Sequence, residues 1–127
     1  MGWPAIIRIS WLAVVVWVTA GLPAPAYAAT RKCFLRIEGR IYLNARCNFE
    51  RDDKYGSFSV GRGQKSRSKY FAMVDVDLSS GEGVAFWNGT DAASHAQEEL
   101  GKVVRQGNCW IDADTKGYRV KICAEAK

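Results

Sequence analysis

Proline is absent after Pro25, and histidine occurs once in the 127 residues, at His95. The first 28 positions hold no Asp or Glu, and Arg8 is their only charged side chain. No two cysteines are close enough for the C-x2-C spacing of a zinc knuckle, which argues against a structural zinc site. The longest apolar run, from Trp11 to Val18, falls well short of the ~20 residues a bilayer-spanning helix needs. It stops at Gly21 and Pro23, so it excludes a stable membrane anchor and fits the h-region of a secretory signal peptide. Ala26-Tyr27-Ala28 supplies a small-x-small cleavage site, and the residues before Cys33 do not form a lipobox. The expectation is a leader over 1–28 and one domain over 29–127, delivered to the periplasm or secreted.

The mature part carries 17 Lys/Arg and 13 Asp/Glu, a net charge of +4. Its length allows one small core and no Rossmann fold or multidomain enzyme. All four cysteines (Cys33, Cys47, Cys109, Cys123) lie in it, and an even count in a small exported chain predicts disulfides. Thirteen residues separate each sequential pair, and each enclosed segment looks like a hairpin, which favours Cys33–Cys47 and Cys109–Cys123. The nested pairing Cys33–Cys123 with Cys47–Cys109 stays open, because spacing does not determine connectivity.

Short alternating runs separated by turn residues follow one another along the mature chain. Cys33–Ile37 and Arg40–Leu43 flank Glu38-Gly39, a two-residue hairpin turn. Ser57–Val60 follows Gly56. Over Tyr70–Leu78, residues Tyr70, Ala72, Val74, Val76 and Leu78 share one face, with Phe71, Met73, Asp75 and Asp77 on the other. Val84–Trp87, Lys102–Arg105, Asn108–Ile111 and Tyr118–Cys123 complete the pattern. Thr90 or Asp91 could cap a short helix ending at Gly101, with Ala92, Ala93, Ala96 and Leu100 on one face, although an irregular loop competes with it. About eight strands predict a mainly β fold: a small antiparallel β sandwich or open barrel, with at most one short helix (about 90–101), stapled by two disulfides.

Catalytic signals are weak. Ser94 and His95 are adjacent, so on a regular element their side chains point apart and form no dyad. Asp75 with Asp77, and Asp112 with Asp114, sit two apart on presumed strand faces and could serve a small hydrolase, but such pairs usually mark a solvated face. Asp112–Lys116 and Asp75–Ser80 fail as calcium loops, through Lys116 at a ligand position in one and the missing glycine in the other. No metal or cofactor is expected.

The most distinctive surface feature is basic. Arg62, Lys65, Arg67 and Lys69 fall within eight residues with no acid between them. This is either a solvated loop or an electrostatic edge for an acidic partner. Export disfavours nucleic acid. Phe86 and Trp87 alternate, so one faces inward and the other outward; an exposed Trp87 would offer a surface to a sugar ring or a protein pocket. Asn88-Gly89-Thr90 fits the glycosylation pattern by chance.

Ser66-Arg-Ser-Lys-Tyr70 followed by Phe86-Trp-Asn-Gly-Thr-Asp-Ala92 resembles the periplasmic inhibitors of c-type lysozyme. Those are small, exported, β-barrel-like domains with disulfide support, carrying a Ser/Gly–Tyr stretch and then Phe-Trp and Gly. Here the spacing between the two stretches is longer, and Asn88 stands where the family has Lys. The resemblance implies that Ser68, Tyr70 and the basic loop form an inserting edge. The expected function is therefore a non-enzymatic binding protein that inhibits an envelope-attacking hydrolase such as lysozyme. Its contacts would be Arg62, Lys65, Arg67, Ser68, Lys69, Tyr70, Trp87 and Asn88. The partner is then an acidic or glycan-processing protein. A carbohydrate-binding module and a small hydrolase using the Asp pairs are the alternatives.

Overall fold

The computed structural model describes residues 28–63 and 67–126. The leader, apart from Ala28, and Lys65 of the basic loop lie outside the described residues. Eight strands follow in chain order: β1 (Ala28–Ile37), β2 (Arg40–Arg51), β3 (Phe58–Val60), β4 (Ala72–Asp77), β5 (Glu82–Trp87), β6 (Glu98–Gln106), β7 (Cys109–Ile111) and β8 (Val120–Ala124). Each pairs antiparallel with the next, and β1 also pairs with β8, from Cys33 opposite Ala124 to Ile37 opposite Val120. The sheet is thus a closed barrel rather than a sandwich or an open barrel. Closure removes the unpaired edges that an open sheet would leave exposed.

The predicted turns set this register. Glu38 and Gly39 both adopt positive φ, 51° and 78°. This is the twist that a two-residue hairpin needs to match its strands. Alternation then sorts the side chains. Cys33, Leu35 and Ile37 of β1 point inward, as do Ala72 and Val74 of β4 and Ala85 and Trp87 of β5. They meet Val60, Val103, Val120 and Ile122 in one core. Asp75, Asp77, Lys102 and Arg105 are exposed on the outside. An apolar interior with charges outward is the reverse of a transmembrane barrel's arrangement.

Both disulfides take the sequence-local pairing, Cys33–Cys47 and Cys109–Cys123. Cys109 and Cys123 are direct cross-strand partners in β7 and β8. Cys33 is opposite Ala45 and Cys47 opposite Arg31, so the first bridge runs diagonally across β1 and β2. Two disulfides suit an oxidising compartment.

Of the two readings open for 90–101, a short helix or an irregular loop, the helix does not form. Residues 88–97 are turns, and Glu98, Glu99 and Leu100 belong to β6, zipped against β5. Two helical turns have little stability of their own, and the end of the segment instead pairs with β5, Glu98 opposite Trp87 and Glu99 opposite Phe86. Leu100 is still buried, as a strand residue rather than a helical one.

Candidate functional site

Strict alternation of strand direction divides the loops between the two ends of the barrel. The β1–β2, β3–β4, β5–β6 and β7–β8 connections share one end. Residues 61–71 and 88–97, the two longest connections at that end, meet there, and the first carries the basic loop.

Each flank of the basic loop is braced by a buried or half-buried asparagine. At its start, Asn48 Nδ2 donates to the Arg62 carbonyl at 2.6 Å and to Glu50 Oε1 at 2.8 Å. The Gly61 N–H donates to the Asn48 carbonyl at 2.8 Å, and the Ser68 N–H closes the loop onto the Gly61 carbonyl at 2.9 Å. A Cβ at position 63 would lie 2.4 Å from Asn48 Nδ2, and φ there is 123°, so the approach requires glycine.

At its end, Asn88 holds three separate pieces of backbone. Its Oδ1 accepts from the Phe71 N–H at 3.0 Å, and its Nδ2 donates to the Lys69 carbonyl at 2.9 Å and the Ala93 carbonyl at 3.1 Å. The Asn88 N–H also donates to the Phe71 carbonyl. Side chain and backbone together therefore extend the β4–β5 ladder by one rung beyond Ala72–Trp87. Asn88 is 3% exposed. It is an internal brace, not a surface contact, and as folded it presents no amide for glycosylation.

Tyr70 and Arg67 add further ties. The Tyr70 hydroxyl donates to the Thr90 carbonyl at 3.1 Å. Its half-buried ring sits 4.9 Å from Tyr42 and 6.1 Å from Trp87, centroid to centroid. Arg67 Nη2 donates to the Ser94 carbonyl at 3.3 Å while its guanidinium carbon lies 5.3 Å from the Phe71 ring centre. Phe71, expected on the outer face, is buried beneath this loop because β4 begins only at Ala72. Arg67 and Lys69 remain exposed, and Arg62 and Ser68 half-exposed. Arg62, Gly63, Arg67, Phe71, Ser94 and His95 line a shallow cleft of about 400 Å³. The structure thus brings His95 to the basic loop, a neighbour the sequence reading did not pair with it.

Of the two rings at the end of β5, Trp87 faces inward. It is 3% exposed and packs edge-on to Tyr42 at 4.7 Å. Phe86 is the outward ring, half-buried and paired across the sheet with Met73. Trp87 therefore offers no surface for stacking on a sugar as folded.

The acidic pairs separate too. Asp75 and Asp77 are exposed on the outer face of β4. Asp112 and Asp114 do not share a face, because β7 ends at Ile111 and the alternation stops there. Asp112 is buried and turned into the β7–β8 connection. Its carboxylate accepts from the Val120 N–H at 2.8 Å, the Thr115 N–H at 2.9 Å and the Thr115 hydroxyl. Burial acts to raise its pKa, but these hydrogen bonds, with Arg119 nearby, outweigh burial and hold it below the usual carboxylate value. Among the described residues no group of three or more His, Cys, Asp and Glu is placed to hold a metal ion.

No protein-family model matches this chain, and searches of curated proteins and of solved structures also find no match.

Proposed function

We propose that this chain is an exported, non-enzymatic inhibitor of an envelope-attacking hydrolase such as a c-type lysozyme, with the basic loop Arg62–Tyr70 as its inserting edge. The observation that carries this reading is the bracing of the loop. The described flanks, Arg62 and Arg67–Tyr70, are tied down by Asn48, Asn88, Tyr70 and Arg67, so the exposed cations Arg67 and Lys69 stand on backbone with less ordering entropy to lose on binding. Lysozyme works with a pair of cleft carboxylates, and a cationic edge complements such a cleft. The resemblance at Ser66–Tyr70 and Phe86–Ala92 points the same way. Removal of the leader after Ala28 and delivery to the periplasm or beyond belong to the same reading, which the two disulfides support.

The test is titration of the exported, oxidised protein into lytic assays with lysozymes of several types, at low and moderate salt. Saturable inhibition near one-to-one is expected, weaker at higher salt. Arg67→Glu with Lys69→Glu should weaken it at least tenfold, since a close interfacial charge pair is worth ~1.5 kcal/mol or more. No inhibition of any lysozyme at doses well above the enzyme would overturn the proposal.

A further inference from the structure

The opposite end of the barrel is built differently. The β2–β3, β4–β5 and β6–β7 connections gather there, together with the start of β1 and the end of β8. Its mouth opens into a cleft of about 360 Å³. That is the low end of the range for small-molecule sites, which favour barrel mouths. We propose that this mouth is a second binding site, independent of the basic loop, for a small amphipathic anion: a carboxylate or sulfonate on a short aliphatic or aromatic body.

The apolar half of the argument is the lining. Phe49 and Phe58 stack at 5.5 Å, and Trp110 lies 6.3 Å from Phe58, all three at the cleft. The rim carries Leu78, 63% exposed, and Tyr55, 46% exposed. Two of the four large hydrophobic side chains exposed among the described residues therefore flank this one opening. Leaving them in water is unfavourable, and a ligand body entering the cleft would cover them.

The polar half is charge. Among the described residues, Arg31, Arg51 and Arg105 line the cleft with Asp77 as the one acidic side chain. Arg31 holds its guanidinium carbon 4.1 Å from the Phe49 ring centre, and Arg105 Nε donates to the Gly107 carbonyl at 3.2 Å. Asp77 accepts from the N–H and the hydroxyl of Ser79, so part of its bonding capacity is already used within its own turn. The guanidiniums of Arg51 and Arg105 beside an aromatic-lined opening suit a planar, two-oxygen head group, which arginine engages through paired N–H donors. The site draws on seven of the eight strands, so folding assembles it and no single stretch of sequence announces it.

The experiment is isothermal titration of the exported, oxidised protein with decanoate below its micelle concentration, with decanol as the uncharged body. Phosphatidylglycerol vesicles in a sedimentation assay distinguish a free anion from a membrane lipid. Saturable one-to-one binding of decanoate is expected, with decanol several-fold weaker. An exposed ion pair is worth up to about fivefold, so Arg51→Gln with Arg105→Gln should weaken decanoate about tenfold and leave decanol unchanged. Leu78→Glu, on an exposed side chain, should weaken decanoate without altering the fold seen by circular dichroism. No saturable decanoate binding, equal affinity for decanol, no effect of these variants, or vesicle binding without decanoate binding would each overturn the proposal. Lysozyme inhibition is read separately, so neither result decides the other.

Discussion

Asn88→Ala tests the bracing that gives the basic loop its shape. The substitution deletes one acceptor and two donors at a 3% exposed position and leaves the Phe71 N–H and the carbonyls of Lys69 and Ala93 without their side-chain partner. At about 1 kcal/mol net per hydrogen bond, with a further penalty for any of these groups that stays buried and unpaired, the cost comes to roughly 2–4 kcal/mol. For a domain of this size each kcal/mol moves Tm by roughly 4–8 °C, so a drop of about 10–25 °C is expected. Asn88→Asp sharpens the argument. It keeps an acceptor for Phe71 but turns a carboxylate oxygen toward two carbonyls, and should cost at least as much as Ala near neutral pH. Thermal melts of the three proteins supply the magnitude. Limited trypsin digestion, read by mass spectrometry, locates the damage, because Arg62, Arg67 and Lys69 should become the first sites cut. A fall of less than about 3 °C, roughly half a kcal/mol, together with an unchanged cleavage pattern, would refute the brace.

Four further outcomes follow from the same structure. Asp112 has a lowered pKa in the fold, so its contribution is fully present above its unfolded value of about 3.9 and is lost as pH falls through the folded value. Melts from pH 6 to 2 should therefore steepen below about 4, and Asp112→Asn should flatten that acid limb; an unaltered slope would count against the carboxylate's role. Each disulfide closes a separation of 14 residues, and removing either one as a double Ala variant should cost about 3 kcal/mol in the chain-entropy model. Cys33 and Cys47 are fully buried while Cys109 and Cys123 are half-exposed, so graded reduction with alkylation and peptide mapping should find the second bridge opened first. Gly83→Ala would place a Cβ 2.7 Å from Val74 Cγ1 and 3.1 Å from the Asp75 carbonyl, and overpacking of that kind costs about 1–3 kcal/mol, measurable by urea denaturation.

Local chemistry made a good part of this molecule readable from its residues. The Glu38-Gly39 turn and the inward set Ala72 and Val74 of β4 follow from period-two alternation and turn residues, which act over a few positions. The two disulfides were favoured on spacing, and the hairpins that enclose them put the sulfurs within reach. The segment 90–101 stays open between a short helix and a loop for the same reason: its alanines repeat at a helical period, but the period says nothing of a strand waiting to pair at Glu98–Leu100. Trp87 and Phe86 were indistinguishable until β5 had neighbours on both sides.

What the tertiary structure alone decided is everything that depends on contacts far apart in the chain. Pairing of β1 with β8 joins residues more than 80 positions apart and turns a sheet into a barrel, and no local pattern encodes that closure. Asn88 is placed among the surface contacts only by the resemblance, in which it stands where the family has Lys. Only the packing of the 61–71 and 88–97 loops made it a buried brace. The cleft at the far end has the same origin: its arginines and aromatic rings are scattered from Arg31 to Trp110, and antiparallel alternation brings them to one mouth. Side-chain type and local period travel with the sequence, whereas facing, burial and proximity come into being only when the strands close on one another.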